Sequence, residues 1–488
     1  MIVPSLDEAR KLVGESTMIP ISTEIFSDLR TPIEILKKIR GQSDKWYILE
    51  SVNGGDSWGR YTFLGYKPVL SVHGTDDTIT VRSGSSESVS KENPVEFLRK
   101  MISQYKSPHI PYLPPFTGGF IGYFAYDFVR YFIPGLKLNV DNAEGFRDFH
   151  LMMMDKVIAF DHFKQKIHLI VNIGTDNIER NYSEGVKTLE EMRDIILNAD
   201  GPSVETHSVC HSFTPAFTEE SFGKMVEKVK HHIIEGDIFQ AVISNRFKAP
   251  FEGDLLNTYR TLRTMNPSPY MVYMRLDDLE IACASPETLV SLKDGEVSVF
   301  PLAGTCPRGK TDEEDKRLID ELLHNEKELA EHDMLVDLAR NDVGKVCQFG
   351  SVGVCEYRQI KRFSHVSHIG SRVSGKLRDG VEAIDVIAAA FPAGTLSGAP
   401  KKRACEIIDD AEGVKRGPYG GAIGYIDFAG NMDVCIGIRM AVLKDGNVFV
   451  QTGAGIVADS IPENEYQETL NKAKAIMNAL KNSGGMCP

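Results

Sequence analysis

The chain has 488 residues and a formal net charge of −13. That acidity excludes the basic footprint on which nucleic-acid binding depends, and 42% hydrophobic with 25% charged residues describes a folded soluble chain rather than a disordered one. The length exceeds what a single core usually serves, so two cores or one large composite core are expected. The first residues, MIVPSLDEARKLVG, carry no basic stretch followed by an apolar one, and no run of about 18 apolar residues follows anywhere. A cytoplasmic protein without a membrane anchor is expected. The eight cysteines form no CxxC pair, which argues against a zinc site or a disulfide framework.

In chain order, KWYILES and TITVR read as strands, and SGSSESVSKENP after the second reads as a loop. Residues 116–133, FTGGFIGYFAYDFVRYFI, are aromatic with paired glycines, which predicts close backbone approach in a buried segment. MMMDKVIAFD and KIHLIVNIG look like a strand pair. Residues 199–217 are polar and lack an apolar period, so they predict a linker between an N-terminal region, 1–200, and a C-terminal domain, 214–484. A helix is expected to start at Thr218, an N-cap before two glutamates. Strand signals follow in FQAVISNRF, YMVYMRL, EIACASPE and VSVFPLAGT, then a long helical region over about 312–341. GAIGYIDF, MDVCIGIRMAVL and NVFVQTGAGIV read as strands again, and about 463–482 as a terminal helix. Strands in runs, without strict alternation with helices, predict an α+β protein with large antiparallel sheets.

Three local patterns bear on chemistry. GTCPRGKT at 304–311 fits the phosphate-loop pattern, but Pro307 deletes a loop N–H and four acids, Asp312 to Asp315, crowd the following helix start, where they would repel phosphate. An ordinary strand-to-helix turn is expected instead. Glu328 and Glu331 share one face of a helix, and Glu465, Glu468 and Lys472 share a face of the terminal helix. Two such faces can hold a hard cation such as Mg²⁺, or they can be ordinary solvated acids. Gly453 and Gly455 of TGAG could present N–H groups as an anion nest. Arg439, read as lying in an apolar strand, needs either a bound carboxylate or a structural ion pair.

Together the motifs SPE (285–287), PLAGTCPRG (301–309), EKELAEHDMLVDLARND (326–342), SHVSH (364–368), FPAGTLSGAPK (391–401), GPYGGAIGY (417–425), GIR (437–439), TGAGIV (452–457) and YQETLNKA (466–473) resemble the chorismate-utilising enzymes. LES (49–51) and GGFIGYFAYD (118–127) extend the resemblance to the N-terminal part of the ammonia-using branch of that family, anthranilate synthase component I and its aminodeoxychorismate synthase relative. The resemblance implies a sandwich of antiparallel sheets with helices outside. It implies Mg²⁺ held by Glu331 and Glu468 with Glu328 beside them, and chorismate contacted by Gln240, Thr305, Tyr419, Arg439, Gly453, Ala454, Gly455 and Lys472. Glu287 fits a general acid for the leaving hydroxyl, which requires its carboxyl to stay protonated near neutral pH. Thr395 lies at a catalytic position, and His368 matches a histidine linked to a second, aromatising step.

Within the family, water-adding enzymes carry a lysine base where this chain has Gln240, and aminodeoxychorismate-forming ones a lysine where it has Ala303. The two residues imply ammonia addition followed by pyruvate loss, giving anthranilate, the first step toward tryptophan. Cys306 departs from the arginine usual there, and loss of an ion pair is expected. Glu50, Ser51, Pro269, Tyr270, Met271, Gly424 and Tyr425 match a site for feedback inhibition by tryptophan, with a carboxylate for its amino group and apolar surface for its indole. No glutaminase motif is evident, so ammonia is expected from a separate glutamine amidotransferase subunit, in a heterodimer or heterotetramer.

Overall fold

The computed structural model describes residues 2–51, 59–199, 208–362 and 366–483. Among them, antiparallel strands form two sheets, of 13 and 12 strands. The larger runs from Met18–Phe26 through Trp46–Glu50, Tyr270–Leu276, Leu279–Ser285, Met440–Lys444 and Asn447–Ile456 to Gln240–Glu252. The smaller has Leu302–Pro307 and Val366–Lys376 toward one end and Thr288–Lys293, Met432–Ile436, Ala422–Asp427 and Gly119–Phe124 at its centre. Strands from before residue 200 and after residue 214 mix in both: Trp46–Glu50 pairs with Tyr270–Leu276, and Gly119–Phe124 with Ala422–Asp427.

The period-two alternation of strands sorts side chains into layers. Tyr47 and Met274 enter the apolar space between the sheets, while Trp46, Ile48 and Tyr273 face helices outside the larger sheet. Those outer helices are Pro32–Arg40, Ile178–Asn198, Leu256–Met265 and Pro462–Asn482. Pro94–Ile102, Glu326–Gly344 and Ala383–Ala390 cover the smaller sheet. The expected sandwich is therefore present, and each large apolar side chain it buries contributes about 1.5–3 kcal/mol. No helix among the described residues is long and apolar enough to cross a membrane.

Several local expectations are corrected. The loop after TITVR holds a strand, Ser86–Lys91, paired with Thr78–Ser83 through a turn at Gly84. It is an edge strand whose residues are mostly exposed, so no apolar alternation marks it. MMMDKVIAFD is two strands: Phe149–Met154 lies in the smaller sheet, and the chain crosses at Asp155 into Lys156–Asp161 of the larger one, which does pair with Lys166–Gly174. The helical region over 312–341 breaks at Asn325, whose side chain caps the second helix by accepting from the Lys327 and Glu328 N–H groups. Part of the expected linker, 200–207, lies outside the described residues; beyond it, Val209–Cys210 and Thr214–Pro215 pair with Gln240–Glu252. Thr218 caps its helix as expected. The glycines of 116–133 do allow close approach: a Cβ on Gly119 would overlap the Ile426 carbonyl oxygen.

One buried ion pair, which the sequence did not announce, joins helix Lys401–Glu412 to the segment after it. The Arg416 guanidinium donates to Glu412 at 2.9 and 2.5 Å, to the Leu396 carbonyl at 2.7 Å and to the Val242 carbonyl at 2.7 Å. Glu412 also accepts from the Ser244 N–H and hydroxyl, and Arg416 lies over the Tyr126 ring. A buried charge is tolerable only when satisfied in this way. Arg416→Leu strands Glu412 and is expected to cost about 3–5 kcal/mol, read as a lower urea midpoint. Arg340→Ala, which removes an exposed pair with Asp337, is expected to cost no more than about 1 kcal/mol.

Candidate active site

Two of the points where the chain passes between the sheets lie side by side. Pro286 and Glu287 link Leu279–Ser285 of the larger sheet to Thr288–Lys293 of the smaller, and Gly437, Ile438 and Arg439 link Met432–Ile436 back to Met440–Lys444. They are bonded together: the Ile436 N–H donates to the Glu287 carbonyl at 3.0 Å, the Ala284 N–H to the Arg439 carbonyl at 3.1 Å, and the Ser285 hydroxyl to the Ile436 carbonyl at 2.7 Å. Arg439 is therefore not in a strand, as expected, but at a crossing, with φ of 50°. That left-handed backbone costs about 1–3 kcal/mol and persists only where its surroundings impose it. Its side chain is exposed, and the charge acting on it is that of Glu287.

Glu287 is half-buried, with its carboxyl turned inward. Oε1 accepts from the Thr395 hydroxyl at 3.0 Å. Burial pushes the Glu287 carboxyl up to about 7, against the opposing pull of Thr395, Arg439 and Lys472. A cavity of about 50 Å³ flanks Glu287 and Thr395, too small for a ring dicarboxylate. The groups expected to bind substrate lie on the open side: Thr305, Arg439, Gly455 and Lys472 are exposed.

Lys472 ties the next layer together. It donates to the Gly453 carbonyl at 2.9 Å and pairs with Glu468 at 2.6 Å. Gly453, Ala454 and Gly455 lie in strand Asn447–Ile456, opposite Ser244, Ile243 and Val242, so TGAG is extended strand rather than a nest. Tyr419 is buried with its hydroxyl against Gly453, and a Cβ there would sit 2.9 Å from it. Gln240 opens the neighbouring strand, paired with Ala399. Glu331 is exposed on its helix, yet burial of the carboxyl, with the negative charges of Glu328 and Glu468, holds it above the ordinary range. Lys327 and Lys472 offset that negative potential only in part; a divalent cation would relieve the rest, and oxygen donors suit Mg²⁺. The three carboxylates are not drawn tightly together; among the described residues only His232, Glu235 and Asp237 bring three such ligand atoms within 4.8 Å. That group is committed elsewhere, since Asp237 accepts from His232 and Arg403.

Thr305 and His368 are cross-strand partners. His368 Nδ1 lies 3.1 Å from the Gly304 carbonyl and 3.0 Å from the Thr305 hydroxyl, which makes Nδ1 the protonated nitrogen and Nε2 the basic one. Burial, helped by Arg439, holds the ring below its ordinary pKa, so it is neutral at pH 7. Glu328 reaches the same strand: a Cβ on Gly304 would be 3.3 Å from its Oε2. His365 lies outside the described residues. The phosphate-loop pattern is a strand, Leu302–Pro307, and its downstream N–H groups are occupied: Gly309 donates to Asp315, and Lys310 to Glu314. The Cys306 thiol is buried among Ile319, Leu322 and Ile369, and the neighbouring Asp315 is held by Arg308 at 2.7 Å and Arg362 at 3.4 Å.

Residues 51–478 match the family described as chorismate binding enzyme. The chain belongs to that family. Relatives include anthranilate synthase component 1 of Acetivibrio thermocellus, 43% identical over 99% of each chain, and that of Aquifex aeolicus (strain VF5), 44% identical over 98% of this chain and 97% of the relative. The crystal structure of anthranilate synthase component I from Streptococcus pneumoniae TIGR4 has a TM-score of 0.76 at 37% identity, covering 93% of this chain and 98% of that one. The menaquinone-specific isochorismate synthase from Escherichia coli, 17% identical with a TM-score of 0.71 over 97% and 98%, shares the fold.

This member of the chorismate binding family has a second, larger cavity, of about 730 Å³, between the sheets. Glu50, Ser51, Pro269, Tyr270, Met271, Gly424 and Tyr425 all line it. Gly424 is required there, with φ of 157° and a Cβ that would overlap the Asp433 carbonyl oxygen. Glu50 is not turned as expected. Its carboxylate accepts from Tyr259 at 2.5 Å and from Arg263 at 3.0 Å, on the helix side of the sheet. Sequence reasoning missed Thr288, Phe300 and Asp433; an isolated acid in the apolar run MDVCI was the one signal available.

Because the Thr395 hydroxyl stabilises the ionised carboxylate, Thr395→Val is expected to move the Glu287 midpoint above about 7. Infrared difference titration of the carboxyl band checks the direction; a downward shift contradicts the assignment.

Proposed function

We propose that this chain is the chorismate-converting subunit of an anthranilate synthase, forming anthranilate and pyruvate from chorismate and ammonia at the start of tryptophan synthesis. What carries the reading is one constellation: Glu287 and Arg439 at the crossing, Thr395 bonded to Glu287, and Lys472 paired with Glu468, whose charge acts with that of Glu328 on Glu331.

Arg439 and Lys472 supply positive charge for the substrate carboxylates, and an arginine offers two parallel donors to one of them. Glu331 and Glu468 would hold Mg²⁺, with Glu328 adjacent; when bound, the ion neutralises charge developing on the ring carboxylate. Ammonia needs no base to become a nucleophile, which accords with Gln240 in place of a lysine. As nitrogen bonds to C2, the Glu287 proton passes to the C4 hydroxyl, which leaves as water. A basic His368 Nε2 is suited to take the C2 proton in the second step, while the enolpyruvyl group departs as pyruvate and the ring becomes aromatic. Atoms balance as chorismate plus ammonia giving anthranilate, pyruvate and water.

The 730 Å³ cavity falls in the range of about 300–1,000 Å³ usual for small-molecule sites, and its residues support a tryptophan site that inhibits the enzyme. In the cell, a glutamine amidotransferase subunit would supply the ammonia, and the cytoplasm is the proposed compartment.

Purified chain with chorismate, Mg²⁺ and an ammonium salt is expected to release fluorescent anthranilate. EDTA should abolish the signal, and tryptophan should suppress it. A product that keeps the enolpyruvyl group and carries the amino group at C4 would instead favour aminodeoxychorismate synthase component I, which Ala303 opposes, and turnover indifferent to EDTA would overturn the metal assignment.

A further inference from the structure

The cavity between the sheets contains a carboxylate with no ion-pair partner among the described residues. Asp433 lies in Met432–Ile436 with the same facing as Cys435, into the space between the sheets, and lines the 730 Å³ cavity. Its Oδ1 accepts from the Tyr270 hydroxyl at 2.8 Å. Burial drives its carboxyl up to about 6, and that hydroxyl is the group opposing the rise. The other acids of the cavity are engaged. Glu50 is held by Arg263 and Tyr259, Glu296 pairs with Arg372, Glu356 pairs with Lys361, and Asp294 lies exposed toward His109. Ser51 Oγ, also at the cavity, is buried without a hydrogen-bond partner among the described residues. A half-buried acid with no cation, and a buried hydroxyl with no partner, among the described residues are both costly unless a ligand answers them.

The same residues reach the acid of the catalytic crossing. The Tyr270 hydroxyl is shared with the Thr288 hydroxyl at 2.9 Å, and Thr288 directly follows Glu287. The strand that carries Asp433 ends at Ile436, whose N–H holds the Glu287 carbonyl. Phe300 lines both the large cavity and the small one beside Glu287 and Thr395, so a single wall separates them.

Building on the assignment of this cavity to an inhibitory amino acid, we propose that Asp433, not Glu50, receives the ligand's ammonium group, and that the Tyr270 hydroxyl, shared between Asp433 and Thr288, transmits occupancy to the Glu287 turn. An arriving ammonium competes with the Tyr270 hydroxyl for Asp433. The Thr288 side of the bridge then shifts, and with it the carboxyl that must deliver the proton. An effector acts only through such a difference between states.

The test is calorimetric binding of tryptophan and of indole-3-propionate, the same molecule without its amino group, alongside the ratio of anthranilate formation with and without tryptophan. The unaltered chain is expected to prefer tryptophan by about tenfold to a hundredfold, the usual worth of a charge-assisted contact. Asp433→Asn is expected to lose that preference while still binding indole-3-propionate, and Glu50→Gln to keep it. Tyr270→Phe is expected to bind tryptophan but show weakened inhibition. If the unaltered chain binds both molecules equally, or Asp433→Asn keeps the preference, the Asp433 assignment is overturned while the tryptophan site stands. If Tyr270→Phe is inhibited as fully as the unaltered chain, the relay is overturned. If the unaltered chain binds neither molecule, the tryptophan site itself fails and the inference with it.

Discussion

The site depends on two chain crossings bonded side by side. Where Leu279–Ser285 leaves the larger sheet and Met432–Ile436 leaves the smaller, the Glu287 carbonyl is held by the Ile436 N–H and the Arg439 carbonyl by the Ala284 N–H. A strand that changes sheets turns its backbone sharply, and its side chains there are released from the alternation that buries their neighbours. An acid and a base can therefore stand at the edge of an apolar sandwich without entering it. Glu287 gains the desolvation that raises its carboxyl to about 7, while Arg439 keeps an exposed side chain.

Other constraints converge on this seam. The buried Glu412–Arg416 pair anchors the Leu396 carbonyl next to Thr395, the Val242 carbonyl opposite Gly455, and the backbone beside Tyr419. Three walls of the site are thus referred to one guanidinium. On the far side, the cavity between the sheets shares Phe300 with the cavity behind Glu287. The candidate active site and the larger cavity are two consequences of how one pair of sheets is stitched together.

How much of this was legible in the sequence differs by type of information. Period-two patterns and caps placed most strands and helices, and the acids at 312–315 correctly discounted the phosphate loop, because those signals are local. Motif resemblance named Glu287, Thr395, Arg439 and Lys472, which lie close enough for the last three to act on the Glu287 carboxyl. What failed was orientation. Glu50 and Leu49 are neighbours in one strand, yet only a register can say which faces the cavity, and the Glu50 carboxylate faces helix Leu256–Met265. Arg439 read as strand because its flanks are apolar, and nothing local reveals that those flanks belong to different sheets. Cys306 stood out only as a departure from the family pattern, and nothing local reveals that its thiol packs among Ile319, Leu322 and Ile369.

The central claim is that Glu287, kept protonated by burial at the crossing, is the acid that discharges the leaving hydroxyl. Its most direct test is Glu287→Gln, with chorismate binding and single-turnover anthranilate formation measured on the same preparation. The account predicts chorismate affinity within a few-fold of the unaltered chain and turnover lower by about 10²–10⁴, the usual worth of a positioned general acid. Retained turnover, or loss of binding and turnover in equal measure, would contradict it.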